Sequence, residues 1–247
     1  MDIRNKVVII TGASAGIGFA TARLFAKNGA KVAIVARSKD KLNELASGLQ
    51  DSLVVQTDMA NAVSVKNMVK KVYGHYGRID VLINNAGQGF DELVEYIDIK
   101  EFQYIIDLNL IGPLTAMQEV IPVMRKQGGG VIVNISSGLS KMHMPGMSGY
   151  ASIKSALNTI SLTAREELAD EKISVSIVYP YITATNFEKN TIIGKNHNSI
   201  QDAGKQDEGY NSLPPPDSPG TVAQKILEVV ISERAEQFVH DWLDGRK

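Results

Sequence analysis

A tyrosine and a lysine four residues apart, Tyr150 and Lys154, have the types and spacing for joint chemistry. If the segment between them is helical, both side chains lie on one face, one turn apart. The tyrosine hydroxyl has an ordinary pKa of about 10, and a neighbouring ammonium favours tyrosinate and lowers that pKa. A tyrosine tuned in this way can pass a proton to or from a carbonyl oxygen. The alternative is an ordinary helix surface, because this spacing alone is common.

A glycine-rich turn, Thr11-Gly12-Ala13-Ser14-Ala15-Gly16-Ile17-Gly18, joins the apolar run 7–10 to a helical pattern over 19–26. Glycines let the backbone approach a pyrophosphate, and a helix N-terminus offers free N–H groups and the positive end of a dipole. The turn therefore predicts a site for the phosphates of a dinucleotide. The alternative is a turn that holds no ligand.

The end of the next predicted strand, 31–36, bears on the choice of dinucleotide. In a dinucleotide-binding unit this point lies near the adenosine ribose, where a carboxylate would accept hydrogen bonds from a free 2′-hydroxyl. Here Ala36 is followed by Arg37 and Ser38. A guanidinium suits a 2′-phosphate, so the sequence predicts NADP(H) rather than NAD(H). The alternative is a solvated loop arginine.

Composition narrows the class of protein. The chain has 247 residues, of which 44% are hydrophobic and 21% charged, enough for one sizeable core. A net charge of -1 gives no basic field for nucleic acid or a membrane surface. Without cysteine, disulfides and thiolate catalysis are excluded, and four scattered histidines predict no metal site. The apolar run 7–10 is too short to span a bilayer, so a soluble cytoplasmic protein is expected.

Strands and helices are predicted to alternate along the chain, which indicates a parallel sheet with helices on both faces. Strands are predicted at 7–10, 31–36, 53–55, 80–83, 131–135, 173–179 and 237–239. Helices are predicted at 19–26, 38–48, 61–75, 100–126 and 218–232, and the helix that carries Tyr150 and Lys154 is predicted to extend to about residue 170.

Three local patterns refine this outline. Asp98 is expected to cap the helix at 100–126, which Gly112-Pro113 should interrupt, and Ser218 should cap the last helix. The segment at about 186–216 is polar and rich in glycine and proline, and it follows the sixth strand, where ligands bind in such sheets. It is predicted to be a mobile substrate lid. The alternative is a plain disordered insertion.

Taken together, the motifs resemble the short-chain dehydrogenase/reductase family over nearly the whole chain. They are Thr11-Gly12-x-x-x-Gly16-Ile17-Gly18, Asn84-Asn85-Ala86-Gly87, Asn109, Ser137, Tyr150 and Lys154, in family order. The resemblance implies a single domain over 1–247 with a Rossmann-type, doubly wound parallel sheet of about seven strands. It also implies a homodimer or homotetramer and a small-molecule carbonyl or alcohol substrate.

The resemblance assigns roles to four catalytic residues. Tyr150 is the proton donor or acceptor, and Ser137 hydrogen-bonds the substrate oxygen, with Ser136 as the competing serine. Lys154 lowers the Tyr150 pKa and holds the hydroxyls of the nicotinamide ribose. Asn109 supports a water leading to Lys154, unless it only satisfies a buried backbone group.

Cofactor residues follow from the same resemblance. They are Gly12, Ser14, Ala15, Gly16, Ile17, Gly18, Arg37, Ser38, Asp58, Met59, Asn85, Ala86, Gly87, Tyr150, Lys154, Pro180, Thr183 and Thr185. The chain departs from the family at Tyr181, where glycine is usual, and at its C-terminus, which lacks a pattern common among 3-oxoacyl-thioester reductases. The residues expected to border the substrate are Gln88-Gly89-Phe90, Met142-His143-Met144, Met147 and Tyr181. The alternative for the methionines is packing against the lid or a neighbouring subunit.

The function expected from these residues is reversible, NADPH-dependent reduction of a ketone or aldehyde to an alcohol. Two alternatives stay open: a non-catalytic NADP(H)-binding sensor or regulator, and a dehydratase or epimerase built on the same site. The sequence names neither the substrate nor the physiological direction.

Overall fold

The computed structural model of the chain describes residues 1–194 and 215–240. Its strands are β1 (Val7–Thr11), β2 (Lys31–Ala36), β3 (Ser52–Gln56), β4 (Val81–Asn84), β5 (Phe90–Asp91), β6 (Gly130–Ile135), β7 (Ile173–Tyr179), β8 (Ile192–Ile193) and β9 (Glu236–Phe238). In the described residues, seven of them form one parallel sheet in the order β3-β2-β1-β4-β6-β7-β9, and β5 pairs separately with β8.

Helices cover both faces of the large sheet. They are α1 (Gly16–Lys27), α2 (Lys39–Ser47), α3 (Ala62–Tyr76), α4 (Ile99–Ile106), α5 (Gly112–Gln127), α6 (Ser148–Glu167) and α7 (Pro219–Ser232). The chain order reverses between β1 and β4, which is the place where doubly wound sheets bind ligands. The predicted fold class is confirmed.

Alternating side chains divide the apolar core into two halves. Val8 and Ile10 of β1 pack with α1, α2 and α7, whereas their neighbours Val7 and Ile9 pack with α3, α5 and α6. All five residues of β1 are buried, as expected for a strand covered on both faces. Packing of helices on both faces holds the carboxyl ends of the central strands in place, and the candidate site is built from these ends.

Two predicted helix caps are present. The Asp98 carboxylate accepts hydrogen bonds from the backbone N–H groups of Lys100 and Glu101 at the start of α4. The Ser218 hydroxyl accepts one from the Thr221 N–H, with Pro219 in the first turn of α7. Each cap satisfies N–H groups that a helix start leaves unpaired, typically stabilising it by about 1 kcal/mol.

The interruption predicted at Gly112-Pro113 takes a different form. The helical path continues from α4 into α5 through a wider π-helical turn, Asp107–Ile111. Pro113 has no N–H to donate, and its ring would crowd the carbonyl four residues back in a regular helix. The widened turn relieves this conflict, and the Gly112 N–H donates to the Asp107 carbonyl, five residues back. The turn carries Asn109, and such turns are frequent at functional sites.

Most of the segment predicted as a lid lies outside the described residues, which exclude 195–214. Its first part is described and is tied to the loop after β4. Strand β8 pairs with β5, and the Gln88 side-chain amide donates to the Asn190 carbonyl at 2.6 Å. Separately, within the described ranges no helix is both long and apolar enough to cross a membrane.

Candidate active site

Helix α6 places Tyr150 and Lys154 on one face, as their spacing predicts. The tyrosine is 6% exposed and the lysine 4% exposed. The lysine Nζ lies 5.7 Å from the centre of the tyrosine ring. Both polar groups are therefore held together in a poorly solvated place at the carboxyl edge of the sheet.

Lys154 is anchored to the end of β6. Its Nζ donates a hydrogen bond to the Ile135 carbonyl at 2.9 Å. Burial lowers the pKa of Lys154 from its ordinary 10.5 to about 8, because the charged form loses its hydration. The ammonium therefore persists at neutral pH but is lost in mildly alkaline solution.

The pKa of Tyr150 moves in the direction opposite to that predicted. Burial raises this pKa well above its ordinary value, and the hydrogen bond with Ser137 opposes the rise only in part. The prediction of a lowered pKa is therefore wrong for the net shift, because loss of hydration at the phenolate outweighs the hydrogen bond with Ser137. The hydroxyl is held in its protonated form at neutral pH.

The structure also separates the two candidate serines. Ser137 follows β6 and interacts with the Tyr150 hydroxyl, while its own oxygen accepts a hydrogen bond from the Leu139 N–H at 3.2 Å. The Ser136 hydroxyl is directed instead to Ser140, at 3.4 Å. Ser137 is thus the serine next to the tyrosine.

The turn that carries Ser137 is bound to α6 through Ser140. The Ser140 hydroxyl donates to the Ser137 carbonyl at 2.6 Å and accepts from the Asn158 side-chain amide at 2.9 Å. The Ser155 hydroxyl donates to the Ser140 carbonyl at 2.9 Å. Sequence reasoning missed this connection. The available signal was the position of Asn158 one helical turn after Lys154, which places a polar side chain on the same face of the helix.

Asn109 is fully buried and bonded to backbone. Its side chain accepts from the Gln88 N–H at 3.3 Å and donates to the carbonyls of Gln88 and Ile105, both at 3.1 Å. It therefore does satisfy buried backbone groups, which was the alternative to a catalytic role. A Cβ added to Gly87 would lie 2.6 Å from the Asn109 Oδ1 and 3.7 Å from the Lys154 Nζ, so this backbone runs between the two side chains. The water-holding role of Asn109 stays a prediction.

The glycine-rich turn combines backbone conformations that favour glycine with a close approach of neighbouring side chains. Gly12 and Gly16 have φ angles of +70° and +54°, a region that favours glycine. A Cβ at Gly12 would lie 2.8 Å from the Asn85 side-chain nitrogen. At the start of α1, Ala15 offers no side-chain cap and the first turn holds no acidic residue, which leaves N–H groups and positive dipole for an anion. These residues fit the phosphates of a dinucleotide.

The loop after β4 is locked to the glycine-rich turn. The Thr11 hydroxyl accepts hydrogen bonds from the N–H groups of Asn85 and Ala86 at 2.9 and 3.0 Å. The Asn85 side-chain amide donates to the Thr11 carbonyl at 2.8 Å. Gly12, Asn85, Ala86 and Gly87 are thus brought together at one edge of the sheet, as the predicted cofactor assignment requires.

The predicted adenosine side lies at the ends of β2 and β3. Arg37 is exposed, and its Nη1 donates to the Tyr104 hydroxyl at 3.0 Å. Ser38 precedes α2, and its side chain makes no capping bond. The Asp58 carboxylate accepts from the Ala60 N–H at 3.0 Å, and Met59 is buried at 3% exposure.

Residues after β7 lie beside the cradle, which consists of the glycine-rich turn and the loop after β4. The Pro180 carbonyl accepts from the Gly138 N–H at 2.9 Å, and the Thr183 hydroxyl donates to the Tyr181 carbonyl at 3.0 Å. A Cβ added to Gly16 would lie 3.1 Å from the Thr185 Cγ2, so Thr185 borders the glycine-rich turn.

Aromatic rings line the predicted substrate side. The Phe187 ring lies 5.9 Å from that of Tyr150, a contact that sequence reasoning missed. The Tyr181 ring lies 5.3 Å from that of His240. Phe90, expected to border the substrate, is instead 1% exposed and packs against Phe102.

This combination of a parallel sheet, a glycine-rich dinucleotide cradle and a buried Tyr-Lys pair defines a class of protein, the nicotinamide-dependent oxidoreductases. The family model described as short chain dehydrogenase matches residues 6–195. The chain belongs to the short-chain dehydrogenase family.

Curated relatives match this chain over most of its length. An uncharacterised oxidoreductase of Staphylococcus saprophyticus is 32% identical over 247 residues, covering 98% of this chain and 96% of the relative. A 3-oxoacyl-(acyl-carrier-protein) reductase of Thermotoga maritima is 39% identical over 186 residues, covering 73% of this chain and 75% of the relative. Oxidoreduction is the activity that both names share.

Solved structures show the same fold. A short-chain dehydrogenase from Streptomyces avermitilis superposes with a TM-score of 0.86 at 28% identity, covering 97% of this chain and 91% of its own. A 3-ketoacyl-(acyl-carrier-protein) reductase from Brucella melitensis, complexed with NADH, gives a TM-score of 0.84 at 26% identity, covering 96% and 97%. The similarity extends beyond the motifs to nearly the whole chain.

Proposed function

We propose that this protein is an NADPH-dependent carbonyl reductase that also runs in reverse as an alcohol dehydrogenase. The observation that carries the proposal is the convergence of Ser137, Tyr150 and Lys154 beside the glycine-rich cradle. A bound nicotinamide cofactor would supply the hydride that adds to the carbonyl carbon. The protein supplies position, electrostatics and the proton.

The proton belongs to Tyr150. Its raised pKa keeps the hydroxyl protonated at neutral pH, which suits a donor to a ketone oxygen. As the carbon–hydrogen bond forms, the carbonyl π bond opens toward oxygen, and the Tyr150 proton completes the alcohol. The Ser137 hydroxyl is placed to stabilise charge developing on that oxygen. In the reverse direction the same tyrosine accepts the proton.

Lys154 supports this transfer. Its ammonium, at a pKa of about 8, lies one helical turn from Tyr150 and favours the tyrosinate that remains after the proton has left. We propose that Lys154 binds the hydroxyls of the nicotinamide ribose and returns a proton to Tyr150. Asn109 would support the water that leads to Lys154. The described residues after β7, including Phe187 beside Tyr150, support a lid over the substrate.

The preference for NADP(H) over NAD(H) rests on the end of β2. Arg37 lies at this point, with an exposed and positively charged side chain. The residues from Ala36 to Ser38 include no carboxylate that could accept hydrogen bonds from a free 2′-hydroxyl. The substrate class is a small ketone or aldehyde. Two relatives are named as reductases of 3-oxoacyl or 3-ketoacyl groups on acyl carrier protein, but the C-terminus of this chain departs from the pattern common among such reductases, which argues against that substrate.

The test is oxidation of NADPH and of NADH, followed by absorbance, against a panel of aldehydes, ketones and 3-oxoacyl thioesters. The proposal expects turnover of at least one carbonyl compound with NADPH and little with NADH. A clear preference for NADH would overturn the cofactor assignment. Tight NADPH binding without turnover of any compound would favour the sensor alternative.

A further inference from the structure

The Arg37 side chain is held by a residue from a distant part of the chain. Its Nη1 donates to the hydroxyl of Tyr104 on α4 at 3.0 Å, across 67 positions of sequence. Its backbone carbonyl also accepts from the Gln56 side-chain amide at 2.9 Å. Both the backbone and the guanidinium of Arg37 are therefore fixed, although the residue is exposed.

The partner of the guanidinium is neutral. Within the described residues, no salt bridge joins Arg37 to a carboxylate. A carboxylate would compete with an incoming anion for the positive charge, whereas a phenol hydroxyl occupies one of five N–H donors and leaves the charge intact. The Ser38 hydroxyl beside it is likewise not used as a helix cap.

We infer that Tyr104 is a positioning residue that sets the preference for a 2′-phosphorylated dinucleotide by holding Arg37 ready for the phosphate. The inference rests on the proposed function and deepens it. Tyr104 is half-buried and packs against two apolar clusters, so its ring is well anchored on α4. It can therefore hold a long, flexible arginine that would otherwise lose conformational freedom on binding.

The physical reason is preorganisation. An immobilised arginine side chain loses rotamer entropy when it binds an anion, and holding it beforehand removes part of that loss. A dinucleotide with a free 2′-hydroxyl makes no charge-assisted contact with Arg37 and gains nothing from the restraint. The effect of Tyr104 should therefore appear with NADPH and be absent with NADH.

The test is titration of Tyr104→Phe with NADPH and with NADH, in which only the Kd for NADPH should rise, together with steady-state kinetics with both cofactors and one accepted carbonyl substrate. Loss of one hydrogen bond should lower kcat/KM for NADPH by about fivefold, through KM, with kcat and all NADH parameters unchanged. Tyr73→Phe is the matched control, because Tyr73 is an exposed tyrosine on α3, and it should change neither cofactor.

A second pair of variants shows whether Tyr104 acts through Arg37. In an Arg37→Ala background, Tyr104→Phe should cost nothing further with NADPH, since the residue that it positions is gone. Equal losses with NADPH and NADH, or a full additional loss in the Arg37→Ala background, would overturn the inference. Unchanged NADPH kinetics in Tyr104→Phe would overturn it while leaving the proposed function intact. A wild-type preference for NADH would instead contradict the cofactor assignment itself.

Discussion

Tyr150 and Lys154 show how the same burial acts differently on two side chains. It raises the pKa of the tyrosine and lowers that of the lysine, because in each case the charged form loses hydration. The spacing of the two residues was readable from the sequence, and the structure confirms that they share a face of α6. The direction of the shift in the tyrosine pKa could not be read from the sequence, because burial depends on residues far away in the chain. The family spacing already favoured Ser137 over Ser136, and in the structure Ser137 is the serine that interacts with Tyr150.

Lys154→Met tests the buried lysine by its effect on stability. The unfolded chain holds the lysine proton up to its ordinary pKa of 10.5, and the folded chain only to about 8. Between these values the unfolded state binds more protons, so the folded state gains stability as the pH rises. The free energy of unfolding of the wild type, relative to Lys154→Met, should therefore rise by roughly 2 kcal/mol between pH 7 and pH 10.

Urea denaturation at the two pH values measures this difference. Lys126→Met, which changes an exposed lysine at the end of α5, is the control and should show little change with pH relative to the wild type. If the Lys154 difference is the same at pH 7 and pH 10, the lysine is not desolvated as the structure indicates.

At the scale of elements, α6 organises the candidate site. It carries Tyr150 and Lys154, and through Asn158 and Ser155 it also fixes Ser140 in the turn after β6. Apolar residues that recur every three to four positions, and the predicted caps at Asp98 and Ser218, allowed most helices to be predicted from the sequence. The π-helical turn was not predicted, because it depends on how the helix accommodates Pro113. The β5–β8 pair was not predicted, because it joins segments that are remote in sequence.

Ser140→Ala should misplace the serine next to the tyrosine without removing it. Loss of the bond to the Ser137 carbonyl frees the turn, and a small displacement of a catalytic group costs rate. We expect kcat for carbonyl reduction to fall by about tenfold while the Kd for NADPH stays unchanged. The measurement is steady-state kinetics together with cofactor titration.

Ser152→Ala is the matched control for this variant. Among residues 1–194 and 215–240, the Ser152 hydroxyl bonds only within α6, to the Gly149 carbonyl at 2.9 Å, and makes no bond to the turn after β6. Its kcat should stay close to that of the wild type. A loss of similar size in both variants would mean that Ser140 matters for the stability of α6 and not for the placement of Ser137.

At the scale of the molecule, the alternation of strands and helices was enough to predict a parallel sheet covered on both faces. The seven-strand sheet of the described residues confirms this, and the fold is similar to that of the short-chain dehydrogenase from Streptomyces avermitilis. The position of residues 195–214, and so the complete form of the proposed lid, lies outside the described residues. The cytoplasmic location stays a prediction.

The family resemblance also predicts a homodimer or homotetramer. Large apolar side chains are exposed around α4 and the π-helical turn, among them Val94, Ile99 and Ile111 at 72%, 73% and 39%. Such side chains are suited to burial between subunits. Light scattering coupled to size exclusion should give two or four times the 26.8 kDa of one chain. A mass of one chain at micromolar concentration would contradict this prediction.

The central claim is that Tyr150 transfers the proton, and Tyr150→Phe tests it most directly. The measurement compares NADPH consumption by the variant and the wild type with the same carbonyl substrate, after titration has shown that both bind NADPH equally. Removing only the hydroxyl should lower kcat by about 100-fold or more, because general acid catalysis contributes on that order. Turnover at the wild-type rate by a variant that binds NADPH normally would contradict the account.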